Sequence, residues 1–197
     1  MSCKNIDISK EEINDFLLFV YFGKDDSHID NCINRAYRDF NRTLHKFGKL
    51  ENKKIIYLEA KECIKETLIQ ASKNVAINNQ ESFDKWHKEF CLSIVKIFAD
   101  YSYDKFYIGQ AQKWINMTIK YFFVFQDKIK DFEKLYQYSH IPIDNIIIDK
   151  LEYKDFNTSW SRNNDYDEYL LFQKYIRSIT GDMTPLEFEF RLFTQKK

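Results

Sequence analysis

Four residues with amide or amine side chains stand close together in an otherwise apolar stretch at 106–125. At the roughly 100° per residue of an α-helix, Gln112, Lys113, Asn116 and Lys120 fall in or beside one narrow strip. Two amides and two amines on neighbouring turns could line a pocket for a phosphate, a base edge or a carboxylate. Alternatively, the amides hydrogen-bond nearby loop backbone and the lysines reach solvent, because an unpaired buried polar group costs roughly 1–3 kcal/mol.

A second candidate group lies in the sequence HIPID at 140–144. A histidine and a carboxylate four residues apart can act as a general-base pair when the histidine lies in a cleft. The simpler interpretation makes Asp144 a favourable charge in the first turn of a helix and His140 a hydrogen-bonding loop residue. Together with the four residues of the central stretch, His140 and Asp144 define a predicted ligand-binding site.

Basic residues recur on the polar side of a helix predicted for 27–48. Arg38 and His45 are two helical turns apart, so a continuous helix would place them on one face. Their spacing resembles the Arg-x(4–6)-His pattern of HEPN-type ribonucleases, which are helical proteins. The resemblance implies metal-free cleavage of RNA, with the arginine and the histidine meeting across a dimer. The alternative is a solvated basic face without chemistry.

Other patterns that could do chemistry are incomplete. His87 and Cys91 have the i, i+4 spacing of metal ligands, but both fall on an apolar helical stripe, so we expect core residues and no metal site. Neither the glycine signatures of nucleotide-binding loops nor the common hydrolase motifs occur, and we therefore predict no cofactor. The four cysteines are widely spaced and expected to be reduced, which indicates a cytoplasmic protein.

The composition favours a single all-α domain. A chain of 197 residues with 44% hydrophobic residues can form a real core, whereas four glycines and two prolines are too few for the turns of a β-sandwich. Equal numbers of acidic and basic residues give zero net charge, which weighs against a dedicated duplex-DNA binder. No apolar run reaches membrane-spanning length, so no membrane partner is expected.

Apolar periodicity predicts a compact bundle of about seven to nine helices around 106–125, which is apolar on nearly all sides. Residues 1–101 could form a sub-bundle against a C-terminal half at 102–197. Two segments stay open between helix and strand: 142–151, with three consecutive isoleucines, and 185–193, with strict alternation. We favour helix for the second, because a lone strand would lack a partner.

Three segments of the second half resemble a group of uncharacterised bacterial proteins. They read GQAQKWINMTIKY at 109–121, HIPID at 140–144 and DYDEYLLFQKYIRSITGDMTPLEFEF at 165–190. The group shares a G-x-A-Q-K-x-x-N-x-x-x-K-Y helix, an H-x-P-x-D turn and a C-terminal P-L-E-[FWY]-E segment. The resemblance implies a bacterial or phage origin and a helical fold, and it implies no reaction.

Three hypotheses about function follow. The first is a non-catalytic intracellular binding protein, bacterial or phage-related, that acts on a protein or nucleic-acid partner through aromatic anchors; a homodimer is compatible with it. The second is a HEPN-like, metal-independent ribonuclease that uses Arg38 and His45. The third is a small-ligand-binding protein or enzyme with its pocket at Gln112–Lys120 and His140.

Overall fold

The computed structural model describes residues 7–23 and 27–194, which form nine α-helices and no β-strand. The all-α prediction is confirmed for these residues. Within the same ranges, no helix combines the length and the apolarity needed to cross a bilayer. The helices are α1 Lys10–Phe22, α2 His28–Phe40, α3 Lys53–Lys73, α4 Gln80–Asp100, α5 Ile108–Val124, α6 Glu133–Tyr138, α7 Asn145–Leu151, α8 Tyr166–Ile179 and α9 Pro185–Thr194.

Helix α5 lies at the centre of the fold, as its sequence predicts. Fourteen of its seventeen residues are buried, and it packs against α2, α4, α6 and a 3₁₀ turn at Trp160–Arg162. Trp114 anchors the contact with α2. Its indole Nε1 donates to the carbonyl oxygen of Ile33 at 3.0 Å, and its ring lies against Tyr37 and Phe40. A buried indole N–H needs such an acceptor, so this bond fixes how the two helices cross.

Local capping explains where several helices begin. Ser9 and Glu12 form the capping box expected before α1: the Glu12 N–H donates to Ser9 Oγ at 3.1 Å, and the Ser9 N–H donates to the Glu12 carboxylate at 2.8 Å. Thr184 and Glu187 repeat this arrangement before α9. The segments 142–151 and 185–193, for which the sequence allowed either helix or strand, contain α7 and α9 and are helical there.

The basic helix predicted for 27–48 is shorter than expected. Helix α2 ends at Phe40, and the chain continues through 3₁₀ turns at Asn41–Thr43 and Phe47–Lys49. Between them Lys46 adopts a left-handed φ of 60°, which no α-helix can contain. Arg38 therefore lies on a helix and His45 in a turn, so the prediction that both share one helix face is wrong.

Gly109 marks the place where α5 meets the Trp160–Arg162 turn. Its N–H donates to the carbonyl oxygen of Asn163 at 2.9 Å. A Cβ added at Gly109 would lie 1.7 Å from the carbonyl oxygen of Trp160. Only glycine therefore allows these two backbones to approach so closely.

We expect Gly109→Ala to lower the free energy of unfolding by at least about 2 kcal/mol, because α5 and the turn have to move apart. Gly48→Ala is the matched control, since nothing lies within 4 Å of a Cβ added there. Its expected change is within about 0.5 kcal/mol. Urea unfolding measures both, and equal stability of the two variants would contradict the close packing.

Candidate functional site

The predicted polar strip of α5 lies inside the protein. Gln112, Lys113 and Asn116 are buried, and Lys120 is half-buried. Buried polar atoms are nearly always hydrogen-bonded in folded proteins, so the partners of these four side chains decide whether they can hold a ligand.

The Gln112 amide is fully engaged within the protein. Its Nε2 donates to the carbonyl oxygens of Gly109 and Ile143, at 2.8 and 3.2 Å. Its Oε1 accepts from the Ile143 N–H at 3.2 Å and from Asn116 Nδ2 at 3.1 Å. An amide has two donors and two acceptor sites, so none is left for a ligand. Gln112 instead ties the loop between α6 and α7 to α5.

Both lysines of the strip form ion pairs. Lys113 Nζ lies 2.7 Å from Asp144 Oδ2, in the residue that caps α7. Lys120 Nζ lies 2.7 Å from Glu189 Oε1 on α9. The expectation that the lysines reach solvent is wrong for Lys113, which is buried, because a buried ammonium requires a counter-charge. Each pair holds a C-terminal helix against α5.

Asn116 connects the strip to polar side chains on α4 and α8 and, through Tyr169, to His140. We call this set of hydrogen-bonded residues the polar core network. Its Oδ1 lies 2.9 Å from His87 Nε2, and its Nδ2 donates to Tyr169 Oη at 2.9 Å. Tyr169 Oη lies 2.8 Å from His140 Nδ1. The network comprises Asp84, His87, Gln112, Asn116, His140, Tyr166, Tyr169 and Arg177.

His140 is engaged by Asp84 and not by Asp144. Its Nε2 lies 2.7 Å from Asp84 Oδ1. Arg177 donates to both oxygens of the same carboxylate, at 3.2 and 3.0 Å. Since Asp144 pairs with Lys113, the structure does not form the general-base pair that the HIPID spacing suggests. The carboxylate that holds His140 comes from a helix 56 residues away in sequence.

The Asn116 amide and the Asp84 carboxylate determine which atoms of the polar core network donate hydrogen bonds and which accept them. Because Asn116 Nδ2 donates, its Oδ1 must accept, which places the proton of His87 on Nε2. The Asp84 carboxylate accepts from His140 Nε2, so His140 Nδ1 is left to accept from the Tyr169 hydroxyl. The neutral form of His140 is thus satisfied at both ring nitrogens.

Burial and hydrogen bonding set the charges in the network. Burial lowers the pKa of His87 well below 6.5, and the neighbouring His140 lowers it further. Burial also lowers the pKa of His140, although Asp84 opposes this. For Asp84, burial raises the pKa, but hydrogen bonds from His140 and Gln80 and the charge of Arg177 outweigh it and lower the pKa to about 2. At neutral pH the network therefore holds one ion pair and two neutral imidazoles.

The polar core network is packed too tightly to admit a ligand. A cavity beside Gln112 and Tyr169 measures about 10 Å³, about the room that one water needs. Asn116, His140 and Tyr169 are each at most 2% exposed. In the part of the chain that the structure describes, no three metal-ligating side chains come together either. The predicted site residues thus meet in separate contacts rather than around an open pocket.

The sequence patterns discussed above do not identify four members of the polar core network: Asp84, Tyr166, Tyr169 and Arg177. The spacing of polar residues in α4 and α8 could nevertheless have indicated them. Polar residues on α8 recur at spacings of three and four, which places them on one helical face. The same holds for α4. The α8 residues are Tyr166, Tyr169, Gln173 and Arg177, and the α4 residues are Gln80, Asp84 and His87.

A surface cleft at the N-terminal end of α5 collects basic residues, and we call it the basic groove. Its volume of about 580 Å³ lies within the roughly 300–1,000 Å³ of ligand sites. Among the described residues, no acidic side chain lines it. The lining residues are Arg42, Thr43, His45, Lys105, Tyr107, Gln110, Ser159, Ser161 and Arg162.

Part-buried hydrogen bonds at the base of the basic groove fix its walls. Gln110 Nε2 donates to the carbonyl oxygen and the hydroxyl of Thr43, at 3.2 and 3.0 Å. Gln110 Oε1 accepts from the Tyr107 N–H at 2.9 Å. The wall that carries Ser161 and Arg162 is held by the bond between Gly109 and Asn163. The groove is therefore set on a braced scaffold, which favours a preorganised site.

The cations of the basic groove have no partner in the described residues. No ion pair or side-chain hydrogen bond there engages Arg42, Lys105 or Arg162. His45 is exposed at the same surface. Arg38 is exposed on α2 and does not line the groove. The structure thus brings His45, but not Arg38, to the basic groove.

The charges of the polar core network predict a stability that falls on acidification. Since the folded-state pKa values of His87 and His140 lie below 6.5, the unfolded chain takes up protons first and stability declines as the pH drops below about 6.5. Asp84, with a pKa of about 2 against an ordinary 3.8, adds a loss below about pH 4. The urea midpoint should therefore fall steadily from about pH 7 to about pH 3.

His140→Gln is the comparison, because it leaves only one of the two buried imidazoles. Between about pH 7 and pH 5, the urea midpoint of His140→Gln should fall less than the urea midpoint of the wild type. A wild-type stability that stays constant or rises on acidification would show that the buried imidazoles are not neutral.

Comparisons with known proteins give no match: no family model, no curated protein and no solved structure is similar to this chain. Function is therefore inferred from the chemistry of the molecule itself. The polar core network is closed, whereas the basic groove is open, cationic and braced.

Proposed function

We propose that this protein binds single-stranded nucleic acid and holds its sugar–phosphate backbone in the basic groove. The observation that carries the proposal is the convergence of Arg42, His45, Lys105 and Arg162 on one concave surface, with no acidic side chain among its described lining residues. Converging cations repel one another, and phosphate groups remove that repulsion. Such a concentration of positive charge is notable in a chain whose net charge is zero.

The other groups of the basic groove suit a single strand. Proteins that bind single strands combine a positively charged groove with aromatic side chains on which bases stack. Tyr107 supplies an accessible aromatic ring, and Thr43, Ser159 and Ser161 supply hydroxyl donors for phosphate or sugar oxygens. A cleft with three cationic side chains and one imidazole is too small a surface for a duplex, which is consistent with the neutral composition.

Binding without catalysis is the favoured form of the proposal, with nucleic acid as the partner. The polar core network holds the pair of His140 and Asp84, and neither of these residues lines the groove. The groove offers cations, hydroxyls and one imidazole, which are groups that hold a phosphate backbone.

One observation favours a second candidate, RNA cleavage: His45 is exposed inside the basic groove. The HEPN resemblance assigns the chemistry to Arg38 and His45, and it implies that they meet across a dimer. Since Arg38 does not line the groove of its own chain, a second copy would have to supply it. Cleavage is therefore tested together with binding.

Fluorescence anisotropy with a labelled RNA oligonucleotide tests the proposal. Lys105→Glu combined with Arg162→Glu should weaken binding at least about tenfold, because two attractive charges beside the phosphates become repulsive. The salt dependence should also flatten, by about 0.7 in the logarithmic slope for each phosphate of the single strand that the variant no longer neutralises. Lys174→Glu, an exposed lysine on α8 outside the groove, is the matched control and should bind like the wild type.

Equal affinity of the groove variant and the wild type, or no binding by either, would refute the proposal. The same incubations are run on a denaturing gel beside His45→Ala. Cleavage by the wild type that His45→Ala lacks would establish the ribonuclease, whereas intact RNA in both supports binding alone.

A further inference from the structure

A pocket between α3 and α4, which we call the interhelical pocket, shares no residue with the polar core network or the basic groove. Its volume of about 300 Å³ is at the lower end of the range for ligand sites. Residues 74–79 join the two helices, so the helices run antiparallel. On each side of the pocket, three residues with polar atoms recur at i, i+3 and i+7, a spacing that places them on one helix face. They are Thr67, Gln70 and Asn74 on the α3 side, and Trp86, Glu89 and Ser93 on α4.

The base of the interhelical pocket is apolar. Ala71 of α3 and Phe90 of α4 are buried, and both line it. The short side chain of Ala71 leaves room between the helices that a longer side chain would fill. Half-buried Trp86 packs against Phe90, with the ring centroids 5.3 Å apart, and adds the apolar surface of its indole. The pocket thus combines an apolar base with a polar rim.

The polar rim offers both hydrogen-bond donors and acceptors. Within the described residues, the Gln70 amide, the Trp86 Nε1 and the Glu89 carboxylate form no hydrogen bond or ion pair. Asn74 Oδ1 accepts from the Ala76 N–H at 2.9 Å, which leaves its Nδ2 as a donor. Ser93 Oγ donates to the carbonyl oxygen of Phe90 at 2.8 Å, so the same oxygen remains able to accept.

The charges of the interhelical pocket restrict the kind of ligand. No basic side chain is among its described lining residues, so a phosphate or a carboxylate would find no counter-charge there. An amine could pair with Glu89, but it would leave the amides of Gln70 and Asn74 without partners. A neutral ligand with several hydroxyl groups matches the rim better, because each hydroxyl both donates and accepts.

We propose that the interhelical pocket binds a sugar in its pyranose form. The C–H face of the ring packs on Ala71, Phe90 and the Trp86 indole, and the hydroxyls at its edge bond to the polar rim. The Trp86 indole suits this position, because it combines an apolar body with an N–H donor. Glycoside hydrolysis ordinarily uses two carboxylic side chains, whereas Glu89 is the one carboxylate among the described lining residues. The site therefore binds the sugar without cleaving it.

This inference is independent of the proposed nucleic-acid binding, and heteronuclear NMR on the full isotope-labelled chain tests it. The three tryptophans give separate indole N–H signals, and Trp86→Phe identifies the signal of Trp86 by its absence. Titration with D-glucose, D-galactose and N-acetyl-D-glucosamine should shift the Trp86 signal saturably for at least one sugar. A ligand of about twelve non-hydrogen atoms gives a Kd on the order of 1 mM. The Trp114 signal should stay in place, because its N–H donates to the Ile33 carbonyl oxygen in the core.

Gln70→Ala combined with Glu89→Ala should weaken sugar binding at least about tenfold, because the hydroxyls lose two partners. Both residues are exposed, so the fold should be retained, and circular dichroism checks this. Glu62→Ala combined with Gln137→Ala is the matched control. These two residues are also exposed, lie outside the pocket and should leave the affinity unchanged.

A parallel titration with tetramethylammonium chloride, which offers a cation without hydroxyls, separates the two neutral and cationic alternatives. A Trp86 signal that no sugar shifts would overturn the proposal. Tighter binding of the cation than of every sugar would also overturn it and assign the pocket to amines. Wild-type sugar affinity in the Gln70 and Glu89 double variant would place the sugar elsewhere on the protein.

Discussion

The structure depends on the amide of Asn116, in the middle of the buried helix α5. Its oxygen is bonded to His87 on α4, and its nitrogen donates to Tyr169 on α8 and to Gln112 one turn away. Each of these groups is buried, so any other arrangement of the helices would leave polar atoms unpaired, at roughly 1–3 kcal/mol each. Apolar contacts alone are compatible with many helix arrangements, whereas the hydrogen bonds of this amide form in only one of them. Asn116 thereby fixes the relative positions of three helices.

Three segments of the second half of the chain, 109–121, 140–144 and 184–190, meet around α5. Lys113 pairs with Asp144 of the HIPID turn, and Lys120 pairs with Glu189 of the C-terminal segment. Gly109 allows the close approach of the turn at Trp160–Arg162. These contacts give the polar motif residues a structural role, because they join distant parts of the chain. The proposed function therefore belongs to the surface, at the basic groove.

The sequence predicts the parts of this structure that local chemistry controls. Helical periodicity identifies α5 as central, and the Ser9 capping box marks the start of α1. Contacts between residues that are distant in sequence cannot be predicted in this way. Asp144 is four residues from His140, yet the hydrogen-bond partner of His140 is Asp84, 56 residues away. The end of α2 could not be predicted either. The residue with a left-handed backbone conformation is Lys46, whereas glycine or asparagine usually signals that conformation. The basic groove draws on three separate segments, so it exists only in the folded chain.

The central claim is that the polar core network holds the fold together and binds no ligand. Asn116→Ala tests it most directly, with unfolding and RNA binding measured on the same preparation and the exposed Asn164→Ala as control. The free energy of unfolding should fall by about 2–4 kcal/mol, because several buried groups lose their partner. The affinity of the folded variant for RNA should equal that of the wild type. A variant with wild-type stability and weakened binding would contradict the account.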